Sequence, residues 1–259
     1  MKILTKLTKR NLLLNRKRTI SSIIGIMLSV ALICAVSGMF TSFKETLIQD
    51  NIAENGYYHI VVNSVSKEQL SKYEHNKDVK KVNALYELGV SSYKKIEKEE
   101  TNIFVYSTDN NTFNNLAYKL VDGVFPKTKD EIVLRNNFAL NYDLKNGDFI
   151  ELNIIDTKTN ESIIKKYKIV GFFTRNESYF GEYGITTDET TNNIKAFVAL
   201  KNPKDYKQSF TELLGAKSYN DIASNRFKKE GITYSINHQL LMWEAFAFSD
   251  TTSKMMIAV

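Results

Sequence analysis

The sequence predicts an α+β protein: a single N-terminal transmembrane helix, then an extracytoplasmic α/β subdomain split by a β-rich subdomain. Three observations predict it. Residues Thr19 to Phe43 run for 25 positions without a charge. Strand and helix patterns alternate at both ends of the remaining chain. Between them, two long β-rich runs face each other across a short polar loop.

The N-terminal elements follow from charge and length. Residues 1–43 hold seven cations and no acid, whereas the rest holds 28 basic and 29 acidic residues. A helix of 25 residues is about 37 Å long, enough for a hydrocarbon core of about 30 Å. Apolar side chains surround it, so a core helix with a polar stripe does not fit. A cleaved signal peptide would have a shorter apolar region and a small-residue cleavage site, and Ile33 before Cys34 is too large for a lipoprotein site. Arg16, Lys17 and Arg18 abut the apolar run and resist translocation, so the N-terminus is expected in the cytoplasm and the main domain outside the cell or in the periplasm. Residues 1–18 mix leucines with lysines and read as a cytoplasmic amphipathic segment on the lipid bilayer. Residues 19–43 are the transmembrane helix, and 44–55 continue it as a stalk.

The extracytoplasmic part reads in three pieces. Residues 56–139 are the first part of the α/β subdomain. They hold a strand at Tyr57–Val62, a capping box at Ser66–Gln69 opening a helix, and strands over Val79–Val90 and Ile103–Tyr106. Residues 140–195 are the β-rich insertion, with Phe149–Ile155 and Ile163–Phe173 joined by a polar hairpin loop. Residues 174–195 within it, polar and interrupted by Gly181 and Gly184, are expected to form a long mobile loop. Residues 196–236 return to α/β: a strand to Leu200, a helix opened by Asn202-Pro203 and stopped by Gly215, a second helix over Tyr219–Lys229, and a strand to Ile236. Residues 237–259 read as a second stalk helix and the start of a truncated second span.

Composition excludes several function classes. The basic excess lies in the N-terminal tail, and the folded part is nearly neutral, which argues against nucleic acid. A single cysteine rules out an internal disulfide or a thiolate metal cluster. His59, His75 and His238 are separated in sequence, and no pair stands at a spacing that would place two metal ligands on one helix face. There is no phosphate-binding G-x-x-x-x-G-K-[ST] loop and no G-x-S-x-G elbow. No catalytic, metal-binding or cofactor-binding residues are assigned, and the chain is not expected to be an enzyme. Tyr179, Phe180 and Tyr183, set among glycines, form the candidate partner-contact loop.

Short motifs in order give a resemblance. Asn11 to Thr19 running into the span, and Glu54-Asn55-Gly56-Tyr57-Tyr58-His59 after it, resemble ABC-transporter permeases of the MacB/FtsX type. Gly123 and Pro126 followed by Glu131-Ile132-Val133, Gly147-Asp148 before a strand, and Gly171 within Lys168–Phe172 are similar to motifs of that family. Asn237 with Leu240-Leu241 resembles its approach to a second span. The resemblance implies structural roles for Gly123, Pro126, Glu131, Gly147, Asp148, Gly171 and Asn237. It also implies four spans, a homodimer or paired permease, and a cytoplasmic ABC ATPase subunit as partner. The expected function is thus a permease subunit, a fragment of one, of an export or mechanotransmission system. The alternative is a membrane-anchored extracytoplasmic sensor domain of a signalling receptor.

Overall fold

The computed structural model describes residues 10, 14–95, 98–175, 181–187, 191–224, 227 and 232–245. The expected cytoplasmic segment and the end of the second stalk therefore lie mostly outside the described residues. The chain divides into two compact units, residues 1–49 and 50–259.

The first unit is carried by helix α1, Arg16–Asn55, which is unbroken over 40 residues and whose final turn belongs to the second unit. It is long and apolar enough to cross a membrane, and its most apolar stretch is unburied. Ser22, Ser29 and Thr41 return their hydroxyls to the carbonyls of Arg18, Gly25 and Ser37 one turn earlier. These bonds satisfy the hydroxyls within the helix itself, as a hydrocarbon surrounding would require.

The second unit is built on ten strands among the described residues. They are β1 (Ile60–Val65), β2 (Val79–Tyr93), β3 (Thr101–Ser107), β4 (Lys119–Gly123), β5 (Glu131–Arg135), β6 (Phe149–Ile155), β7 (Ser162–Thr174), β8 (Glu182–Thr186), β9 (Ile194–Leu200) and β10 (Thr233–Ile236). The helices between them are α2 (Lys67–Glu74), α3 (Asn110–Asn115), α4 (Asn136–Asn141), α5 (Tyr206–Leu214), α6 (Tyr219–Ala223) and α7 (His238–Ala245). The strands run in the order β10-β1-β9-β2-β3-β8-β5-β7-β4.

Local chemistry explains most boundaries. Ser66 and Gln69 exchange both bonds of the capping box that opens α2. Asn202 accepts from Lys204 N–H at a 3-10 turn leading into α5, and Gly215 ends α5 with φ +72°. The β6–β7 hairpin pairs Phe149 with Lys168 through Ile155 with Ser162, and Asp156 accepts from the Lys158 and Thr159 amides in its turn.

Two cores divide the sheet. One, under α2, α5 and α6, gathers Ile60, Val62, Leu70, Val198, Phe210 and Leu241. The other gathers Ile103, Val105, Ile132, Leu134, Phe138, Ile150, Leu152 and Tyr167. Here the structure refines the sequence division: β3 and β5, expected with the α/β part, share a core with the β-rich insertion. The cause is closure. β6 bridges back to β2 at Val90–Ile155, turning β2-β3-β8-β5-β7-β6 into a six-stranded barrel. Gly89 permits the seam, because a Cβ there would lie 2.3 Å from the Ile155 carbonyl oxygen. An aromatic third cluster, with Phe113 against Tyr118 at 5.1 Å and Phe173 at 5.7 Å, fills the space beside α3.

The loop expected over 174–195 is corrected in part. Residues 182–186 form β8, paired in parallel with β3 and antiparallel with β5. Gly184, read as a loop residue, lies in this strand against Ile132 and Leu134: a Cβ would sit 2.6 Å from Ile132 Cδ1, so a side chain there would require those side-chain ends to shift. At the start of β8, burial pushes the Glu182 carboxyl above its usual range, and the nearby Arg135 guanidinium only partly offsets this. The folded state thus holds that proton more tightly than the unfolded state. The stability it contributes is present at low pH and is lost as pH rises through the raised value. Glu182→Gln should remove this slope and raise the unfolding midpoint at neutral pH, as read from denaturation between about pH 4 and 7.

Candidate functional site

The geometry concentrates where the chain enters and leaves the second unit. The last turn of α1 delivers Asn51 and Asn55, His59 stands immediately before β1, and α7 delivers Gln239 and Glu244. Gly56, with φ +87°, ends α1; its amide donates to Ile52 O, and a Cβ on it would meet Asn115 O at 2.4 Å.

Amides link the two helical ends. Asn237 Nδ2 donates to Asn51 Oδ1 at 3.1 Å and to Tyr58 O at 3.3 Å. Its Oδ1 accepts from Leu240 N–H, which caps α7. Asn51 Nδ2 in turn donates to Gln239 Oε1 at 3.2 Å. Asn237→Ala removes both the cap and the link. It is expected to cost about 1–2 kcal/mol in chemical denaturation of the full chain.

His59 fastens α7 to the sheet. It is fully buried, and its Nδ1 accepts from Leu200 N–H at 2.8 Å. The proton therefore resides on Nε2, which faces Glu244 Oε2 at 2.5 Å. The ring is neutral in this arrangement, because an imidazolium would set a second N–H against the Leu200 amide. Tyr57 closes the group: burial first, then the Glu244 carboxylate it also hydrogen-bonds, push its phenol up to about 12. Such a site holds elements together. It presents no activated nucleophile.

A second fastening reaches the aromatic third cluster. Arg175, 7% exposed, donates from one guanidinium nitrogen to Tyr118 OH at 2.9 Å and from the other to Asn55 O at 3.0 Å. Its guanidinium also lies 4.6 Å from the centre of the Tyr118 ring.

The motif residues fall into distinct local roles. Gly123 and Gly171, 48 positions apart, are cross-strand partners on β4 and β7. Neither tolerates a side chain: a Cβ on Gly123 (φ +80°) would lie 2.1 Å from Val170 O, and one on Gly171 would lie 2.6 Å from Asp122 O. Pro126 is buried in the turn that follows. Glu131 accepts from the Lys127 and Thr128 amides, bracing that same turn. Gly147 (φ +94°) donates to Ile169 O, and Asp148 accepts from the Lys145 amide, together shaping the turn into β6. Arg16, Lys17 and Arg18 are exposed at the start of α1. Tyr183 is a buried strand residue, while Tyr179 and Phe180 lie outside the described residues.

The structure thus joins Asn237 to His59 and Glu244 through α7, and Gly123 to Gly171, while the remaining motif residues stay local. Sequence reasoning gave no role to Glu244, Arg175 or Asn51, because no spacing links residues more than a hundred positions apart. Among the described residues, no group of three or more His, Cys, Asp or Glu could hold a metal ion.

No curated protein sequence matches the chain. Among solved structures, it is similar to the extracellular domain of the noncanonic ABC-type transporter YknZ from Gram-positive bacteria (13% identity, 66% of this chain, 89% of that one, TM-score 0.44). It is also similar to the periplasmic region of MacB from Actinobacillus actinomycetemcomitans (11%, 82% and 98%, 0.41). A third is a domain of a putative permease protein from Porphyromonas gingivalis (10%, 70% and 88%, 0.39). At these scores the likenesses carry no argument about function. The family match is of another order: residues 19–214, well over half the chain, fit the MacB-like periplasmic core domain, and the protein belongs to that family.

Proposed function

We propose that this chain is a permease subunit of an ABC-type export or mechanotransmission system, its main domain moved by a separate cytoplasmic ATPase. The observation that carries this reading is the fastening of both helical ends to the domain by buried hydrogen bonds. A domain that only captured ligand would not need its entering and leaving segments locked to each other and to the interior of the domain. Family membership supports the same reading. In it, residues 19–43 span the membrane with Arg16, Lys17 and Arg18 inside, residues 44–55 and 237–245 are stalks, and two such permeases pair. The barrel with its insertion is the part presented to a partner or cargo.

Two measurements test it. A cysteine replacing exposed Lys166, in a Cys34→Ser background, should react with an impermeant maleimide on intact cells. A cysteine at Lys9 should react only after permeabilisation. Affinity purification in mild detergent should bring down a nucleotide-binding subunit whose ATP hydrolysis rises with the permease present. A reversed labelling pattern, or purification with a signalling kinase instead, would defeat the assignment.

A further inference from the structure

We infer that Arg175 is a positioning residue that ties the end of α1 to β7, a strand of the β-rich barrel, through the aromatic cluster that holds Tyr118. Its role rests on the permease reading for its purpose and on geometry for its existence. The carbonyl of Asn55 is the last of the helix and carries the negative end of the helix dipole. A guanidinium suits that position because its planar fork can reach a carbonyl and a hydroxyl at once while its face lies on an aromatic ring.

Arg175 directly follows β7, and Tyr118 directly precedes β4, where Lys119 and Thr174 are cross-strand partners. The clamp is thus mounted on the end of a paired edge. From there β7 runs 13 residues back through the barrel, pairing with β5 and then β6. The other helical end is held differently. Leu240 and Leu241 of α7 are buried, Leu241 in the α/β core, and Glu244 is bonded to His59 of that same part of the sheet. A pull on the end of α1 would therefore load β7 of the barrel through Arg175 as well as β1, into which α1 leads, whereas a pull on α7 would load the α/β core alone. The amides of Asn51, Asn237 and Gln239 bridge the two.

Spin-label distances on the full chain in lipid nanodiscs test this, in a Cys34→Ser background. One pair sits on Ala53 and Lys166 of the barrel, and a control pair on Ala53 and Lys72 of α2; all three residues are exposed. Both distributions should be narrow with Arg175 present. Arg175→Met should at least double the width for the barrel pair and leave the control pair unchanged, with Tyr118→Phe intermediate. Unchanged width for the barrel pair, or equal broadening of both pairs, would overturn the inference, the second result marking Arg175 as a general packing residue. Should Arg175→Met fail to fold by circular dichroism, Arg175→Lys, which keeps the charge and loses the fork, is judged by the same two criteria. No nucleotide or ATPase is present in these measurements. A negative result therefore leaves the permease reading standing, and the lack of an ATPase partner would leave the tie standing.

Discussion

Gly123→Ala is expected to cost about 4 kcal/mol, a large part of the stability of an ordinary domain. The added Cβ would lie 2.1 Å from the Val170 carbonyl and 2.5 Å from Gly171 Cα, both backbone atoms that no rotamer can move aside. The positive φ of 80° adds strain for any residue with a side chain. Relief requires separating β4 from β7, which would also displace Val124, whose amide donates to Val170 O. Gly147→Ala is the matched control. It too has a positive φ, but a Cβ there meets nothing within 4 Å, so only the conformational cost, about 1 kcal/mol, should remain. Equal losses from the two substitutions in urea denaturation would show that close approach is not what Gly123 provides.

His59→Ala should rank next, at about 4 kcal/mol: about 1–3 each for the stranded Leu200 amide and the Glu244 carboxylate, plus the lost packing. Glu244→Gln should cost far less, since an amide oxygen can still accept from Nε2. The two separate a bonded histidine from a merely packed one. Trp243, the sole tryptophan, precedes Glu244 on α7 and reports the result directly. Its fluorescence should lose its native position at a lower denaturant concentration in His59→Ala than in the parent, while Glu244→Gln stays close to the parent. A histidine that acted only by filling space would be replaced by leucine without loss, and that outcome would remove the clasp from the account.

Much of this architecture was legible beforehand, for identifiable reasons. The α1 span, the Ser66 capping box, the β6–β7 hairpin and the Asn202–Gly215 helix all have their causes within a contiguous stretch of about 25 residues or fewer. Side-chain caps, alternation and turn chemistry act locally, and composition displays them. The short helix α3 left little trace, since its asparagines are poor helix formers and it depends on the Asp109 cap and burial of Phe113. Strand β8 was hidden because its glycine resembles loop chemistry, although in the fold that glycine packs against the side chains of Ile132 and Leu134.

The sequence by itself determined the long N-terminal apolar helix, its charged end, the alternating element order and, through its motifs, the family. Each is fixed by the hydrophobic and dihedral preferences of neighbouring residues. Only the tertiary structure decided that β6 returns to β2 to close a barrel, that Gly123 faces Gly171, and that His59 and Arg175 fasten the two helical ends at separate places in the domain. Those pairings join residues up to 185 positions apart. They follow from which buried polar groups must find partners once the strands have assembled, a condition no stretch of sequence states on its own.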